Sequence, residues 1–324
     1  MHTTSKFSAY ISSLLKEKCQ KQILSVLFID GDDKRAREAA LYFKKNNLAR
    51  PIMLLENESQ VVEDGLENII LSKEEESIKA YASELVEIRN GKEDYETCLK
   101  NMHTRPYYGA MMIKLKDVDS AVGGLIYSTA DILRAAFKCI GAKPGIKTIS
   151  SVIVMHKDDE QLIFTDPSTV QKPSAEQLVD IAANAISFAN MMNMNSLGAF
   201  LTYSTNNSGK GENPDLVREA VKIATERDLN VINGEMQFDS AYDLNVRKAK
   251  FPSAVQKETG VFIFPNLESC NIGCKIAQRM GKYGAVGAIL QGVNGAINDF
   301  SRGATVADVI DVTSITILNG YTFK

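Results

Sequence analysis

The sequence predicts an α/β protein of two domains with largely parallel sheets. Short apolar runs alternate with segments of helical period through both halves of the chain. Its 324 residues exceed what one hydrophobic core usually serves. A breaker, Lys143-Pro144-Gly145, falls between the halves and marks a domain boundary.

Each element has a local reason. Ile23 to Ile29, apolar except for Ser25, ends at Asp30-Gly31, as expected of a buried strand. From Asp33 to Lys45, Ala36, Ala39, Ala40 and Phe43 recur on one helical face, and Pro51 to Leu55 supplies a second strand. That order is a parallel α/β unit. The Gly31 turn lacks the G-x-G-x-x-G spacing of a dinucleotide site. Ser72 to Arg89 reads as a helix with Ser72 and Glu75 at capping-box spacing, and Lys92 to Met102 as another, closed by Arg105-Pro106. Ala121 to Tyr127 is apolar, and Ser128-Thr129 then opens a helix carrying Arg134. In the second half, Thr148 to Met155 and Gln161 to Thr165 flank a polar turn and read as a hairpin. Ser174 to Met191 is a strongly amphipathic helix, Leu197 to Tyr203 a strand, Pro214 to Arg227 a helix and Asn230 to Ile232 a short strand. Val261 to Phe264 is a strand, a helix starts at Asn271, and Gly284 to Leu290 is apolar and glycine-rich.

Composition narrows the classes of function. The chain is 44% hydrophobic and 24% charged, with a net charge of -3, so no generally basic surface for nucleic acid or membrane is expected. No apolar run reaches the roughly 18–20 residues of a membrane helix. Met1 to Lys6 lack the apolar core of a signal peptide. Five cysteines, an odd number, fit reduced thiols and a cytoplasmic location better than a disulfide framework. His2, His103 and His156 lie far apart, and Cys270 and Cys274 have no second pair to complete a zinc set. Neither His103 nor His156 has a motif that would support serine–histidine catalysis.

The polar loops follow apolar strands, where open α/β sheets bind ligands. Asn298-Asp299-Phe300-Ser301-Arg302-Gly303 sits just ahead of a helical pattern, and a serine and an arginine at a helix start suit an anion. Asp308 could accept a proton there; Thr305 and Asp308 equally fit a capping box that only finishes the helix. Ser128 and Thr129 form a second anion-capable corner, or a plain N-cap. Ser204-Thr205-Asn206-Asn207-Ser208-Gly209-Lys210-Gly211 could cradle phosphate without being a Walker A loop, or could be a solvated surface loop. Such loops, gathered in one cleft, would suit transfer chemistry on a phosphorylated ligand.

These segments, taken in order, resemble the phosphate acetyltransferase family, with its phosphate butyryltransferase branch. The resemblance rests on the Ser204–Gly211 loop, Gly234-Glu235-Met236-Gln237-Phe238-Asp239, Phe264-Pro265-Asn266-Leu267, Asn271-Ile272-Gly273 with Lys275, and the Asn298–Gly303 run. Ser128-Thr129 with Arg134, and Asp166-Pro167, extend it over nearly the whole chain. It implies interconversion of acetyl-CoA and phosphate with acetyl phosphate and CoA, no tightly bound cofactor, and a homodimer with the active site in a cleft between two α/β domains. The first domain would then comprise residues 1–145 and 288–324, and the second residues 146–287. By the same resemblance, Asp308 is the base for the CoA thiol, Ser301 positions the thiol or stabilises developing charge, and Arg302 polarises the acyl phosphate. Arg134 is a further arginine of the cleft, and Arg89 holds CoA through its phosphates. Ser128, Thr129, Ser204, Thr205, Asn271 and Lys275 are the remaining candidates for substrate and CoA binding. The chain departs from the family at Cys270, Cys274 and Ala296, where glycine, an aromatic residue and often proline are usual. These departures bear on acyl-chain preference. A transferase for longer acyl groups such as butyryl and a non-catalytic CoA-binding homologue are the competing expectations.

Overall fold

The computed structural model describes residues 5–324; Met1–Thr4, including His2 and most of the segment considered as a leader, lie outside the described residues. Elements are numbered in chain order: α1 (Lys6–Cys19), β1 (Ser25–Phe28), α2 (Lys34–Lys45), β2 (Arg50–Leu55), β3 (Glu67–Ile70), α3 (Glu75–Arg89), α4 (Tyr95–Met102), α5 (Arg105–Lys114), β4 (Ser120–Gly123) and α6 (Thr129–Ala135). Then follow β5 (Ser150–Lys157), β6 (Glu160–Thr165), α7 (Ala175–Met191), β7 (Gly198–Phe200), α8 (Glu212–Glu226), α9 (Phe238–Tyr242), α10 (Leu244–Lys250), β8 (Val261–Ile263), α11 (Leu267–Arg279), β9 (Gly284–Gln291), β10 (Ala296–Asp299) and α12 (Val306–Gly320). No helix among the described residues is long and apolar enough to cross a membrane.

The chain divides into two compact units: Ser8–Lys143 with Val293–Lys324, and Pro144–Gly292 with Ser5–Phe7. The C-terminal segment joins the first unit at Val293 rather than at 288, because Ala288–Gln291 complete β9, which pairs with β5.

The first unit holds a five-stranded sheet in the order β10-β4-β1-β2-β3. Every neighbouring pair is parallel, so the carboxyl ends of β1, β2, β4 and β10 share one edge. Val26, Leu27 and Phe28 are fully buried, as expected of a central parallel strand, whereas Ile23, ahead of β1, is exposed. α12 packs on β10, β4 and α2, and α5 on β2, β4 and β10. α4 ends at Met102 as expected, but Arg105-Pro106 also opens an unexpected helix, α5, where proline in the first turn gives up no helical hydrogen bond. α3 begins at Glu75 without the expected Ser72 capping box, since Leu71–Lys73 form a separate turn.

The second unit's sheet, in the order β7-β8-β6-β5-β9, is mixed. β7, β8 and β6 run parallel, whereas β6/β5 and β5/β9 are antiparallel. The β5–β6 hairpin dictates this, because a tight turn can join only antiparallel neighbours. Asn230–Ile232 contributes one isolated bridge, from Val231 to Gly198. Arg247, with no solvent exposure, ties α9 and α10 to the segment before β8. Its guanidinium donates to the carbonyls of Ser240, Ala241, Val255 and Lys257 and to the Thr259 hydroxyl.

Candidate active site

In the first unit, the strand order fixes what meets at the carboxyl edge. β10 runs one step past its end, with the Phe300 amide donating to the Gly123 carbonyl at 2.6 Å, and then turns through Ser301–Ala304. Arg35, in the first turn of α2, clasps that turn: Nη1 donates to the carbonyls of Arg302 (2.8 Å) and Ala304 (2.9 Å). The same guanidinium is anchored on Asp33 at 2.8 Å. Ser301, Arg302 and Asp308 are all exposed. Among the described residues the Arg302 guanidinium has no hydrogen bond or ion pair within the protein.

Asp308 closes a capping box with Thr305. Its Oδ2 accepts from the Thr305 amide and hydroxyl, both at 2.8 Å, and Thr305 Oγ1 accepts from the Asp308 amide at 3.3 Å. The helix-finishing role is therefore real. It occupies one carboxylate oxygen; Oδ1 has no protein partner among the described residues, and a carboxylate has lone pairs enough for both roles.

Ser128 is the N-cap of α6: its hydroxyl donates to Asp131 at 2.6 Å and accepts from the Asp131 amide at 3.2 Å. The Ser128 hydroxyl and amide, with Arg134, hold the Asp131 carboxyl below its ordinary range. Arg134 pairs with Asp131 at 3.2 Å and stays exposed. Thr129 instead reaches across the edge and donates to Asp299 at 2.5 Å. Arg89, the last residue of α3, is half-buried beside Glu93 at 3.4 Å, and Lys138 reaches the same Glu93 oxygen at 2.6 Å. Two cations thus share one carboxylate, leaving local positive charge suited to an anion.

In the second unit, the Ser204–Gly211 loop follows β7, and its interior already contains an anion. Glu235, 3% exposed, accepts from the Ser204 hydroxyl and the Asn207 amide, each at 2.8 Å, and from Arg218 at 3.1 Å. Burial raises the Glu235 carboxyl, but the Asn207 amide, Ser204 and Arg218 together hold it below its ordinary value. Asn206 and Asn207 adopt φ of 50° and 64°, a left-handed pair that turns the Asn207 amide toward this carboxylate. The expected phosphate cradle is therefore filled by the protein's own side chain. Ser204 and Thr205 are buried, and Thr205 accepts from the Gln237 amide at 2.9 Å. Their hydroxyls hold the loop rather than face solvent. The exposed side chains of the loop are those of Asn206, Asn207, Ser208 and Lys210.

Asn271 and Lys275 were expected at and just beyond a helix start. α11 begins earlier, at Leu267, because Asn266 caps it by accepting from the Ser269 amide at 2.9 Å. Asn271 donates from mid-helix to the Pro167 carbonyl at 3.2 Å, and Lys275 is exposed one turn on. Cys270 and Cys274 face inward, 0% and 4% exposed, in a cluster with Met155, Phe164 and Phe262. Burial pushes the Cys270 thiol well up, so both cysteines act as core residues here. Asp166 is likewise structural, accepting from the amides of Ser151, Ser168, Thr169 and Val170.

Arg35, Asp299, Glu235 and Arg218 were not anticipated in these roles. Asp299 and Glu235 lay within the quoted motifs. Arg35 and Arg218 gave no signal, since each acts on residues remote in sequence.

A parallel sheet whose carboxyl edge presents an exposed serine, arginine and carboxylate has the form of an α/β enzyme site suited to an anionic substrate. Residues 10–317 match the family described as "Phosphate acetyl/butaryl transferase", and the chain belongs to that family. It is 37% identical over 318 residues to the phosphate acetyltransferase of Mycoplasma capricolum subsp. capricolum, covering 96% of this chain and 98% of the relative. Among solved structures, a phosphotransacetylase from Streptococcus pyogenes matches with a TM-score of 0.89 at 34% identity, covering 97% of this chain and 99% of that one. A branched-chain phosphotransacylase from Enterococcus faecalis V583 shares the fold, with a TM-score of 0.69 at 14% identity over 91% of this chain and 99% of that one.

Proposed function

We propose that the protein is a phosphate acetyltransferase, interconverting acetyl-CoA and phosphate with CoA and acetyl phosphate. The observation that carries the residue roles is the Ser301–Asp308 segment. It presents an arginine without a protein partner and a carboxylate with one oxygen uncommitted, on a turn clasped by Arg35.

In the direction of acetyl-CoA synthesis, Asp308 takes the thiol proton of CoA. The thiolate attacks the acetyl carbonyl, the new C–S bond forms, and the C–O bond to phosphate breaks with inorganic phosphate leaving. A free thiol has a pKa near 8.5, so a nearby base and cationic field raise its thiolate share. Arg302 offsets charge on the acyl phosphate and Ser301 donates to the reacting centre. Preorganised donors of this kind typically contribute about 3–4 kcal/mol each. Arg134 adds positive charge on the same unit, and Arg89 with Lys138 suits the CoA phosphates. On the second unit, Lys210 and Lys275 are exposed cations offered to substrate, with the half-buried Asn271 a further candidate. Transfer is direct, in a ternary complex, with no covalent enzyme intermediate and no tightly bound cofactor.

The working form is a cytoplasmic homodimer. Ile272, Ile276 and Met280, exposed along one face of α11 with Phe238 and Tyr242 also exposed in the same unit, support self-association. Purified protein given CoA and acetyl phosphate, with butyryl phosphate in parallel, tests the activity by thioester absorbance. Faster thioester formation from acetyl phosphate is expected, and none from either donor would exclude the enzyme. A monomer by light scattering would exclude the dimer.

A further inference from the structure

Asp299 has no part in the roles above, yet its carboxylate joins two segments that do. It ends β10, immediately before Phe300, Ser301 and Arg302, and its Oδ2 accepts from the hydroxyl of Thr129, the first residue of α6, at 2.5 Å. The strand delivering Ser301 and Arg302 is thereby tied to the helix carrying Arg134.

The surroundings are built for this carboxyl group. Its other oxygen, Oδ1, is buried and has no hydrogen-bond partner among the described residues. Gly124 makes room for it: a Cβ there would stand 2.1 Å from Oδ1, and the backbone φ of +108° is itself one that favours glycine. A second carboxylate, Asp30, leaves β1 at the same edge. It is 1% exposed, accepts from the Leu125 amide at 2.8 Å, and also has an oxygen, Oδ1, without a partner among the described residues. The groups acting on Asp299 are thus Thr129 from α6 and Asp30 from the β1 exit, while Asp30 itself feels Arg105 from α5 and Arg35 from α2. Burial is the largest influence on Asp299 and pushes it up to about 7, with the charge of Asp30 acting in the same direction. Burial also raises Asp30, despite its amide donors and Arg105. Asp30 is buried and Asp299 half-buried at this edge, and two such carboxyl groups do not both carry charge without penalty.

We propose that Asp299 is a positioning residue for acetyl transfer, holding Thr129 and the Ser301–Arg302 turn in one frame through its carboxyl group, whose acceptor oxygen needs no charge. It touches no reacting atom; it sets where Ser301 and Arg302 stand. The inference rests on the transferase reading above. Misplacement of reacting groups by about 1 Å can lower a rate about 10²-fold, which sets the scale expected on losing the tie.

The test compares the parent enzyme, Asp299→Asn, Asp299→Ala and Thr129→Val for thioester formation from CoA and acetyl phosphate between pH 5.5 and 9. Asp299→Ala and Thr129→Val are expected to lower kcat about 10²-fold, with KM for CoA changed far less. Asp299→Asn keeps an uncharged acceptor for Thr129, so it should retain parental kcat below pH 7. It should also lose the parent's alkaline decline in kcat, whose midpoint is expected near 7. Parental kcat in Asp299→Ala overturns the positioning role. An Asn variant as impaired as the Ala variant at pH 6, or one that keeps the alkaline decline, overturns the claim that the acceptor oxygen needs no charge. A parent that forms no thioester at all refutes the transferase reading instead, which keeps the two failures distinct.

Discussion

Asp308 carries two roles in this account, and substitution can separate them. Asp308→Asn preserves side-chain volume and leaves a carbonyl oxygen able to accept from the Thr305 amide and hydroxyl, now at 2.8 Å each. What stability it loses is mainly the interaction of a full charge with the start of α12, about 0.3–1 kcal/mol at an exposed site. For a chain of this size that is a Tm shift of about 2 °C or less. Its effect on turnover should be far larger, because an amide cannot take the thiol proton: kcat should fall roughly 10²–10⁴-fold. Thr305→Ala is the reciprocal change. It removes the hydroxyl that caps the helix, at a cost of about 1 kcal/mol, but leaves the carboxylate. It should lower Tm at least as much as Asp308→Asn while kcat stays within roughly tenfold of the parent, since no proton acceptor is lost. Thioester absorbance under saturating substrates and a thermal melt on the same preparations decide the matter. A near-parental kcat in Asp308→Asn, accompanied by a lowered Tm, would refute the base and leave Asp308 a capping residue.

Three further outcomes follow from the same geometry. Arg89→Ala should raise KM for CoA and leave kcat comparatively unchanged, because its charge is placed for binding; initial-rate kinetics with CoA as the varied substrate check this, and an unaltered KM removes Arg89 from the site. Glu235→Ala leaves Arg218 and the Asn207 amide facing a vacated interior, and breaking a buried pair in this way typically destabilises by about 3–5 kcal/mol. Its melting temperature should fall and proteolysis should concentrate at residues 204–211, whereas an unshifted melt would show that the loop does not depend on Glu235. Stability against pH should report Asp299. Its carboxyl is raised from 3.8 to about 7 in the folded protein, so its contribution is fully present below pH 4 and is lost as pH rises through about 7. At about 1.4 kcal/mol per tenfold change in proton affinity, that is at most about 4 kcal/mol. Asp299→Asn should therefore be more resistant to urea than the parent at pH 8, with the difference smaller at pH 5 and gone below pH 4; a difference that does not change with pH would refute the raised carboxyl.

The parts of the fold legible from sequence are those where one residue's neighbours in the chain decide its state. Ile23 to Ile29 reads as a buried strand and is one from Ser25 to Phe28, with Ile23 left exposed, and the Ser174 and Thr305 caps lie within a turn of the amides they satisfy. α5 was hidden because it is buried from Arg105 to Ile113, which erases the polar face that reveals a helix. α11 was read as starting late, since Pro265 and Asn266 resemble a loop until the Asn266 side chain is seen accepting from the Ser269 amide. α1, β3 and α10 carried too weak a pattern to be anticipated, and the antiparallel half of the second sheet followed from a hairpin whose consequence for the neighbouring strand was not drawn.

The site divides in the same way. Ser301, Arg302, Thr305 and Asp308 are close in sequence, and their local geometry matches the spacing. The content of the Ser204–Gly211 loop was not legible, because the anion that fills it comes from Glu235, after an intervening helix. Burial, too, is invisible in a motif: Asp299 and Ser301 are near neighbours, yet one is half-buried, with a buried Oδ1 and a bond from Thr129, while the other is exposed.

The central claim is that this chain moves an acetyl group between phosphate and CoA using Asp308 and Arg302. The most direct measurement is the rate of thioester absorbance when purified protein is given CoA and acetyl phosphate, run beside Asp308→Asn and Arg302→Ala. Rapid thioester formation by the parent, with both variants slowed by roughly 10²-fold or more, is the expected result. A parent that leaves CoA unacylated, or variants that keep the parental rate, would contradict it.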